Sequence, residues 1–346
     1  MLRYNIELND GLACRDRSEQ ETQETRIAVV IVNYCTPELT LQCLSSLANG
    51  RSDTTRLTVF VVDNASPDNS GARLQVEAMQ PSYQGWVQVI LAPSNGGFAY
   101  GNNIGISKAL DSPDEDSPDA LWLLNSDTYL REGALEEVAA AIRSDASTGI
   151  WGTRLEWPDS EPQLSCFRFH RISTELVSVA QTEPITWLFA SAEVPIHKSL
   201  ANSSVEVEWV SFASVVLRRE VVDAIGLMDE GYFMYFEDVD YCRTAVANGF
   251  KVRYLPNART VHLRGGSSPV KSLSVALKRR PRYYYAARTR YYAKWYGRFW
   301  GPLVANACWY LGRTVWFFRQ LFDRSKLGRC QAEWRDIWVN FSAPLE

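Results

Sequence analysis

Histidine and paired cysteines are scarce in this chain of 346 residues. It contains 3 histidines and 7 cysteines, and no two cysteines have the Cys-x-x-Cys spacing. An odd number of scattered cysteines is typical of reduced cytosolic thiols and argues against a disulfide framework or a zinc site. Residues 1–25 are polar and lack the apolar core of a secretory signal. We therefore expect a cytoplasmic protein with a frayed N-terminal tail over residues 1–25.

Acidic residues are scarce in the C-terminal quarter. Residues 271–346 contain 15 Lys or Arg and 4 Asp or Glu, a net charge of +11, whereas the whole chain carries −4. The preceding residues therefore carry −15. A basic segment on an acidic body predicts an anionic surface as a partner.

Apolar runs of strand type alternate with helical patterns over the first 150 residues. This alternation predicts βαβ units, a largely parallel sheet and an α/β fold. The predicted strands cover 27–33, 57–63, 87–91 and 120–127, and the predicted helices cover 38–49, 98–110 and 132–143. Farther along, we expect an irregular insertion at 152–208, a strand at 209–217 and a helix at 219–225.

The segment from Ala120 to Asp127 has the pattern of a buried strand that ends in a carboxylate. Open α/β sheets bind ligands at the carboxyl ends of their strands. The oxygens of Asn125 and Asp127 could therefore hold Mg²⁺ or Mn²⁺ against a diphosphate. The alternative is that Asp127 caps a following helix.

Two other segments suggest a nucleotide site. Asp63 ends a predicted strand and could bond a pyrimidine or a ribose, although a role in a turn explains it equally well. The segment from Asn95 to Gly105 contains four glycines and three asparagines and would let backbone approach a phosphate or ribose closely. It lacks the Gly-x-Gly spacing of dinucleotide sites, and tight helix–strand packing is the alternative.

Acids and a histidine follow in the second half of the chain. Glu237, Asp238 and Asp240 stand at a predicted helix start, where the helix dipole favours acids and where a carboxylate could also act as a general base. His262 follows a strand and precedes two glycines, which makes it a candidate metal ligand, although a lone histidine is more often structural.

Taken in order, these segments resemble the motifs of family 2 glycosyltransferases, most of all the bacterial rhamnosyltransferase-like branch. The resemblance covers about residues 26 to 300. It implies a GT-A fold, which is Rossmann-like with a mainly parallel sheet, and inverting transfer of a sugar from a nucleotide-diphospho-sugar. Rhamnose is one candidate sugar. The acceptor would be a hydroxyl of a glycan or a lipid-linked molecule in cell-envelope polysaccharide biosynthesis.

The resemblance also implies a role for each matching residue. Asp127 and His262 would bind the divalent cation, Mg²⁺ or Mn²⁺. Asp238 would deprotonate the acceptor hydroxyl, with Glu237 as the alternative base. The residues expected to form the nucleotide-sugar site are Asn33, Asp63, Asn95, Gly96, Asn103 and Asn125.

This sequence departs from the family pattern at two positions. The metal motif reads Asn-Ser-Asp and offers one certain carboxylate, Asp127, so the cation would be weakly held. Phe212 stands where the family usually has glycine, and we expect its ring to narrow the sugar or acceptor pocket. The single carboxylate keeps open a catalytically idle, sugar-nucleotide-binding scaffold. A nucleotidyltransferase is less favoured, because Asn33 to Pro37 lacks the expected glycine-rich loop with Arg and Lys.

The chain divides into the tail, a catalytic domain at 26–270 and a helical extension at 271–346. Residues 278–298 contain eight basic side chains and no acid, and an apolar, aromatic stretch follows at 303–319. This pattern predicts peripheral contact with the inner face of the cell membrane. The alternatives are a helix that closes the enzyme's own core and a homodimer contact. We do not expect nucleic-acid binding, because a glycosyltransferase already explains the chain.

Overall fold

The computed structural model describes residues 24–51, 54–113, 117–189, 194, 204–264, 270–322 and 330–346. The predicted tail lies outside these residues apart from its last two positions. Gly265, Gly266 and Ser267 of the histidine motif also lie outside them.

The described residues form one large mixed sheet and a small second one. The strands are β1 (Thr25–Asn33), β2 (Thr55–Asp63), β3 (Val87–Leu91), β4 (Ala120–Asn125), β5 (Thr128–Leu130), β6 (Thr148–Glu156), β7 (Cys166–Phe167), β8 (Val205–Val207), β9 (Trp209–Val210), β10 (Ser214–Arg218) and β11 (Lys251–His262). The large sheet has the order β3-β2-β1-β4-β10-β6-β11-β5, with β8 also paired to β11. The small sheet pairs β7 with β9.

Helices cover both faces of the large sheet. They are α1 (Pro37–Asn49), α2 (Ser70–Ala78), α3 (Gly97–Leu110), α4 (Ala134–Ser144), α5 (Ile172–Ala180), α6 (Glu183–Leu188), α7 (Arg219–Ile225), α8 (Glu237–Ala247), α9 (Val270–Val275), α10 (Arg282–Tyr296), α11 (Trp300–Phe322) and α12 (Glu333–Asp336). Alternate residues of β1 pack into separate hydrophobic cores on the two faces of the sheet. Ala28 and Val30 belong to the core that includes α3 and α8. Ile27 and Val29 belong to the core that includes α1 and α4. This alternation explains why a strand covered on both faces is apolar throughout.

The strand pairing brings the predicted site residues to one edge of the sheet. β1 runs parallel to both β2 and β4, so that Asn33 lies opposite Asp63 and the neighbouring Val32 lies opposite Asn125. β10 runs antiparallel between β4 and β6. β11 runs parallel to β6, and its last residue, His262, pairs with Thr128 of β5.

Three local expectations need correction. The segment 152–208 is not simply irregular, because it contains the end of the central strand β6 and helix α5. The strand predicted at 209–217 is interrupted by a turn at Phe212–Ala213, which separates β9 from β10. Asp127 does not cap a helix, because strand β5 follows it directly.

The basic segment at 278–298 is built into the protein. Tyr285, Tyr291 and Tyr292 of α10 are buried. Six of the eight basic side chains form ion pairs within the chain: Arg279–Asp336, Arg280–Glu333, Arg288–Glu175, Arg290–Asp229, Lys294–Asp240 and Arg298–Glu346. Acids of the same chain thus pair with most of these basic side chains, and attraction of the segment to an anionic surface stays a prediction.

Candidate active site

Asn33 and Asp63 meet at the ends of two neighbouring parallel strands. The amide of Asn33 donates to the carboxylate of Asp63, with 2.6 Å between Nδ2 and Oδ1. The same carboxylate accepts from the backbone N–H of Ser66 at 3.1 Å and from its hydroxyl at 2.7 Å. Both Asn33 and Asp63 are buried. Asn33 therefore fixes the orientation of Asp63 at the edge where open α/β sheets bind nucleotides.

A hydroxyl bridge connects this pair to the end of β4. The Asn33 Oδ1 atom accepts from the hydroxyl of Thr36 at 3.2 Å. That hydroxyl lies 2.9 Å from the hydroxyl of Ser126, the residue directly before Asp127. The carboxyl ends of β1, β2 and β4 thus belong to one hydrogen-bonded edge.

The glycine-rich segment joins this edge to the loop before α8. The Oδ1 atom of Asn95 accepts from Asn64 Nδ2 at 3.1 Å and from the backbone N–H of Gly97 at 3.0 Å. Gly97 has a φ of +91°, and a Cβ there would lie 1.9 Å from the backbone oxygen of Phe233. The backbone N–H of Phe98 donates to that oxygen at 2.8 Å. Only glycine permits so close an approach.

Gly96 and Asn103, which are also predicted for the nucleotide pocket, lie against other residues of this chain. A side chain at Gly96 would collide with the ring of Tyr100, which lies 2.4 Å from its ideal Cβ. The amide of Asn103 donates to the Met228 carbonyl at 2.8 Å and to the Glu230 carboxylate at 2.9 Å, and it accepts from the Met228 N–H at 3.0 Å. These contacts support a positioning role for Asn103, whose direct contact with a nucleotide stays a prediction.

Asp127 and His262 come together although they are far apart in the sequence. The His262 Nε2 atom lies 3.3 Å from Asp127 Oδ1, and 13% and 3% of the two side chains are exposed. The backbone N–H of Leu263 donates to the Asp127 carbonyl at 2.9 Å, which anchors the end of β11 beside the carboxylate. Asn125 is half-buried at the end of β4. The fold therefore brings together Asp127 and His262, the two residues predicted to bind the metal.

This pair suits a divalent cation that also binds a diphosphate. Within the described ranges, no group of three or more His, Cys, Asp or Glu side chains is placed to hold a metal ion, so a cation would need substrate oxygens. Mg²⁺ is commonly held by one or two carboxylates plus substrate phosphates, and an imidazole also suits Mn²⁺. The His262 Nε2 atom faces Asp127, whereas its Nδ1 atom is buried without a hydrogen-bond partner among the described residues.

The two acids that open α8 follow a strained stretch of backbone. Tyr235 and Phe236 both adopt the left-handed conformation, with φ of 74° and 68°. This conformation costs about 1–3 kcal/mol at a residue with a side chain and is concentrated at functional sites. Aromatic packing holds it in place, because Tyr235 stacks on Tyr283 at 6.5 Å and Phe236 packs on Tyr291 at 5.5 Å between ring centroids.

Burial raises the pKa of both acids at the start of α8. Burial raises the pKa of Asp238 to about 7, and its Oδ1 atom accepts from the Val239 N–H at 2.8 Å. Burial and the adjacent charge of Asp238 raise the pKa of Glu237 well above its usual range. A general base works best with a pKa near the operating pH. Asp238 is half-buried whereas Glu237 is buried, and the assignment of Asp238 as the base stays a prediction.

We expect Glu237→Gln to raise the unfolding temperature more at pH 8 than at pH 5. The raised pKa means that folded Glu237 keeps a proton that the unfolded chain releases above about pH 4.3. Folding stability contributed by this group therefore falls as the pH rises through neutrality. Glutamine does not titrate, so the substitution removes this loss of folding stability at high pH. Thermal denaturation of both proteins at the two pH values checks this, and equal shifts would contradict it.

Two further acids tie the α8 region to α10. Asp240 accepts from Lys294 Nζ at 2.6 Å and from Trp295 Nε1 at 2.7 Å. Asp229 accepts two bonds from Arg290, at 2.8 and 3.1 Å. The sequence alone does not predict these pairings. The only signal for them is that the acidic motif and the basic segment carry opposite charges. α10 therefore positions the start of α8, which carries Asp238.

Phe212 does not narrow a pocket as expected. Its side chain is 3% exposed and belongs to the hydrophobic core, where it packs edge-on against Tyr241 with 6.1 Å between ring centroids. The Phe212 ring, which stands where the family usually has glycine, thus fills space in the core beneath α8.

Known proteins similar to this chain include rhamnosyltransferases. Rhamnosyltransferase WbbL of Escherichia coli K12 is 22% identical over 166 residues, 48% of this chain and 60% of WbbL. N-acetylglucosaminyl-diphospho-decaprenol L-rhamnosyltransferase of Mycobacterium tuberculosis is 24% identical over 226 residues, 61% of this chain and 68% of that protein. This chain thus spans only part of the length of each relative.

Fold similarity extends to solved glycosyltransferases. The mannosyltransferase PcManGT from Pyrobaculum calidifontis, solved with GDP-Man and Mn²⁺, superposes with a TM-score of 0.51 at 12% identity, over 88% of this chain and 77% of that one. The predicted GT-A fold is thereby confirmed. The sequence model described as glycosyltransferase-like family 2 matches residues 25–286, which is most of the chain. The predicted family is also confirmed, and this chain belongs to glycosyltransferase-like family 2.

Proposed function

We propose that this chain transfers a sugar, with inversion at the anomeric carbon, from a nucleotide-diphospho-sugar to a hydroxyl of a glycan or lipid-linked acceptor. One observation carries this proposal: the continuous path of contacts along the sheet edge from Asp63 to the Asp127–His262 pair. A nucleotide-diphospho-sugar needs hydrogen bonds at its nucleoside and charge neutralisation at its diphosphate. The two ends of this path supply these interactions.

Each residue of the path would have a distinct part in the reaction. Asp127 and His262 would hold Mg²⁺ or Mn²⁺, which neutralises charge on the leaving diphosphate. Asp63, oriented by Asn33, would accept a hydrogen bond from the base or ribose. Asp238 would take the acceptor hydroxyl proton at Oδ2, since Oδ1 already accepts from the Val239 N–H. The acceptor oxygen would bond to the anomeric carbon as the bond to the diphosphate breaks on the opposite side.

The similarity to rhamnosyltransferases makes rhamnose the first sugar to test. We assign the reaction to residues 26–270 and regard 271–346 as a helical extension. This extension supports the catalytic part directly, because Arg288 of α10 donates to Glu175 of α5 at 2.9 Å. Location at the inner face of the cell membrane and a homodimer contact stay predictions.

A thermal-shift screen of nucleotide-diphospho-sugars, with and without Mn²⁺, tests the function. We expect a nucleotide-diphospho-rhamnose or another donor to raise the unfolding temperature only when the cation is present, because ligand binding stabilises the folded state. Product formation with a glycan acceptor must accompany binding. Donor binding without any transfer would instead indicate the idle scaffold, and the absence of a stabilising donor would contradict both.

We also propose that α11, rather than the basic segment, makes the membrane contact. Among the described residues, no helix combines the length and apolarity needed to cross a bilayer. α11 nevertheless exposes a row of large apolar side chains, with Trp300, Leu311, Phe317 and Phe318 each more than half exposed. Aromatic and apolar side chains of this kind insert at the membrane interface.

We expect the triple change Leu311→Ser, Phe317→Ser and Phe318→Ser to reduce vesicle binding about tenfold or more, because each removes apolar area from the interface. Flotation with neutral and anionic liposomes measures the change. The control is Val76→Ser with Met79→Ser, which alters exposed apolar residues in α2 and at its C-terminal end. Equal loss in the control, or binding to anionic vesicles alone, would contradict the assignment.

A further inference from the structure

A cavity of about 570 Å³ lies between α5, α10, α11 and the segment 330–337. None of the residues assigned to the nucleotide or cation lines it. It reaches Phe236, the residue that directly precedes Glu237. Its volume is within the range of about 300–1,000 Å³ that small-molecule sites occupy.

Three buried polar atoms of this cavity's side chains have no hydrogen-bond partner in the described part of the chain. They are Arg288 Nη2, Tyr285 Oη and Gln181 Oε1. Arg288 and Tyr285 are only 4% and 2% exposed. A buried polar atom without a partner costs about 1–3 kcal/mol, so that native proteins rarely gather several in one place. All three side chains line one cavity, so a ligand that bonds these atoms from the cavity would remove this cost.

The types of these atoms restrict the chemistry of that ligand. The guanidinium of Arg288 only donates, the oxygen of Gln181 only accepts, and the hydroxyl of Tyr285 does both. A hydrocarbon chain would leave all three unsatisfied. A ligand with several hydroxyls matches them, since each hydroxyl also donates and accepts.

The charges around the cavity disfavour an anion. Arg288 is paired with Glu175 at 2.9 Å, and Arg280 is paired with Glu333 at 3.1 Å. The cavity thus contains two cations and two carboxylates, and all four side chains line it. A diphosphate would face both carboxylates and could not donate to Gln181. A neutral, polyhydroxylated ligand meets neither obstacle.

Aromatic rings complete the lining. Trp309, which is 5% exposed, and Tyr284 present apolar surface to the cavity, against which the C–H face of a sugar ring can pack. We propose that this cavity binds a sugar unit of the acceptor glycan, an inference that rests on the proposed transferase function. Since Phe236 directly precedes α8, a sugar bound here would anchor the acceptor near the helix start that carries Asp238.

Saturation-transfer NMR titrations with free rhamnose, N-acetylglucosamine, glucose and galactose test this inference. We expect at least one of these sugars to bind the wild-type protein. Tyr285→Phe should weaken that binding about 3- to 10-fold, because it removes one hydrogen bond. The matched control is Tyr254→Phe, which deletes another buried, unpartnered hydroxyl outside the cavity. The control should bind as the wild type does.

A second variant changes an exposed residue, so that it leaves the packing of the buried side chains unchanged. Ser178 lies on the exposed side of α5 at the cavity, and Ser178→Trp should block entry and abolish the sugar signals. Nucleotide-sugar binding with Mn²⁺, measured on the same samples, separates the two proposals. Donor binding with no sugar signal, or sugar signals unchanged in both cavity variants, overturns the inference alone. Binding of inorganic pyrophosphate but no sugar overturns it in favour of an anion. Absence of donor binding counts against the proposed function instead.

Discussion

Replacing Asp238 with asparagine is expected to slow sugar transfer by about 10²–10⁴-fold, because it removes the proton acceptor for the attacking hydroxyl. Nucleotide-sugar binding should survive, since Asp238 lies at the start of α8 and not at the strand ends that form the donor site. The Oδ1 bond to the Val239 N–H can be kept by the amide oxygen of asparagine, so that the start of α8 stays intact. Steady-state rates and donor affinities of the variant and the wild type check both expectations.

Glu237→Gln is the matched control for this prediction. It changes the neighbouring acid, and we expect most of the activity to remain. Wild-type kcat/KM should also fall as the pH drops below about 7, because the base must be deprotonated to act. Near-native turnover in Asp238→Asn together with an inactive Glu237→Gln would reverse the two roles. Normal activity in both would remove this site from the mechanism.

Asp127→Ala is expected to weaken donor binding in the presence of Mn²⁺ by about 100-fold, because changes around a bound metal commonly cost 10–100-fold in affinity and this one removes a ligand. Excess EDTA should abolish wild-type transfer, and added Mn²⁺ should restore it. His262→Ala should act in the same direction more mildly, since the carboxylate remains. Calorimetric titration of the donor, with and without the cation, measures these effects.

Asp119→Ala provides the control for the cation prediction. Asp119 adjoins the opposite end of β4 and pairs with Arg26 at 3.1 Å, so its loss should alter stability slightly without changing cation dependence. An Asp127→Ala variant that binds donor as well as Asp119→Ala does, or full activity in EDTA, would refute the assignment of both Asp127 and His262.

The sequence allowed prediction of those parts of the fold that local patterns determine. β1, β2, β4 and α3 match their predicted ranges closely, because continuous β-branched runs and a glycine-rich helix start are local signals. β6 was missed because its residues Thr148–Glu156 mix polar and apolar types. The polar ones are satisfied only in the folded sheet, where Glu156 is paired with Arg131 and Arg259.

The candidate site shows the same division between local and distant information. Motifs identified Asp127, His262 and Asp238 as candidates, and the fold brings the first two together. The pairing of Asp240 with Lys294 depends on α10 docking against α8, which no spacing within either segment reveals. The different burial of Asp238 and Glu237 is likewise a property of the assembled structure.

The position of β10 also determines the order in which this chain can fold during synthesis. β4 leaves the ribosome with an apolar strand edge that β10 covers only after residue 214, about 90 residues later. At translation rates of about 5–20 residues per second, that edge stays open for roughly 5–20 seconds. An uncovered edge of this composition invites pairing with other nascent chains. The early half of the sheet is therefore expected to need chaperone protection until its antiparallel partner emerges.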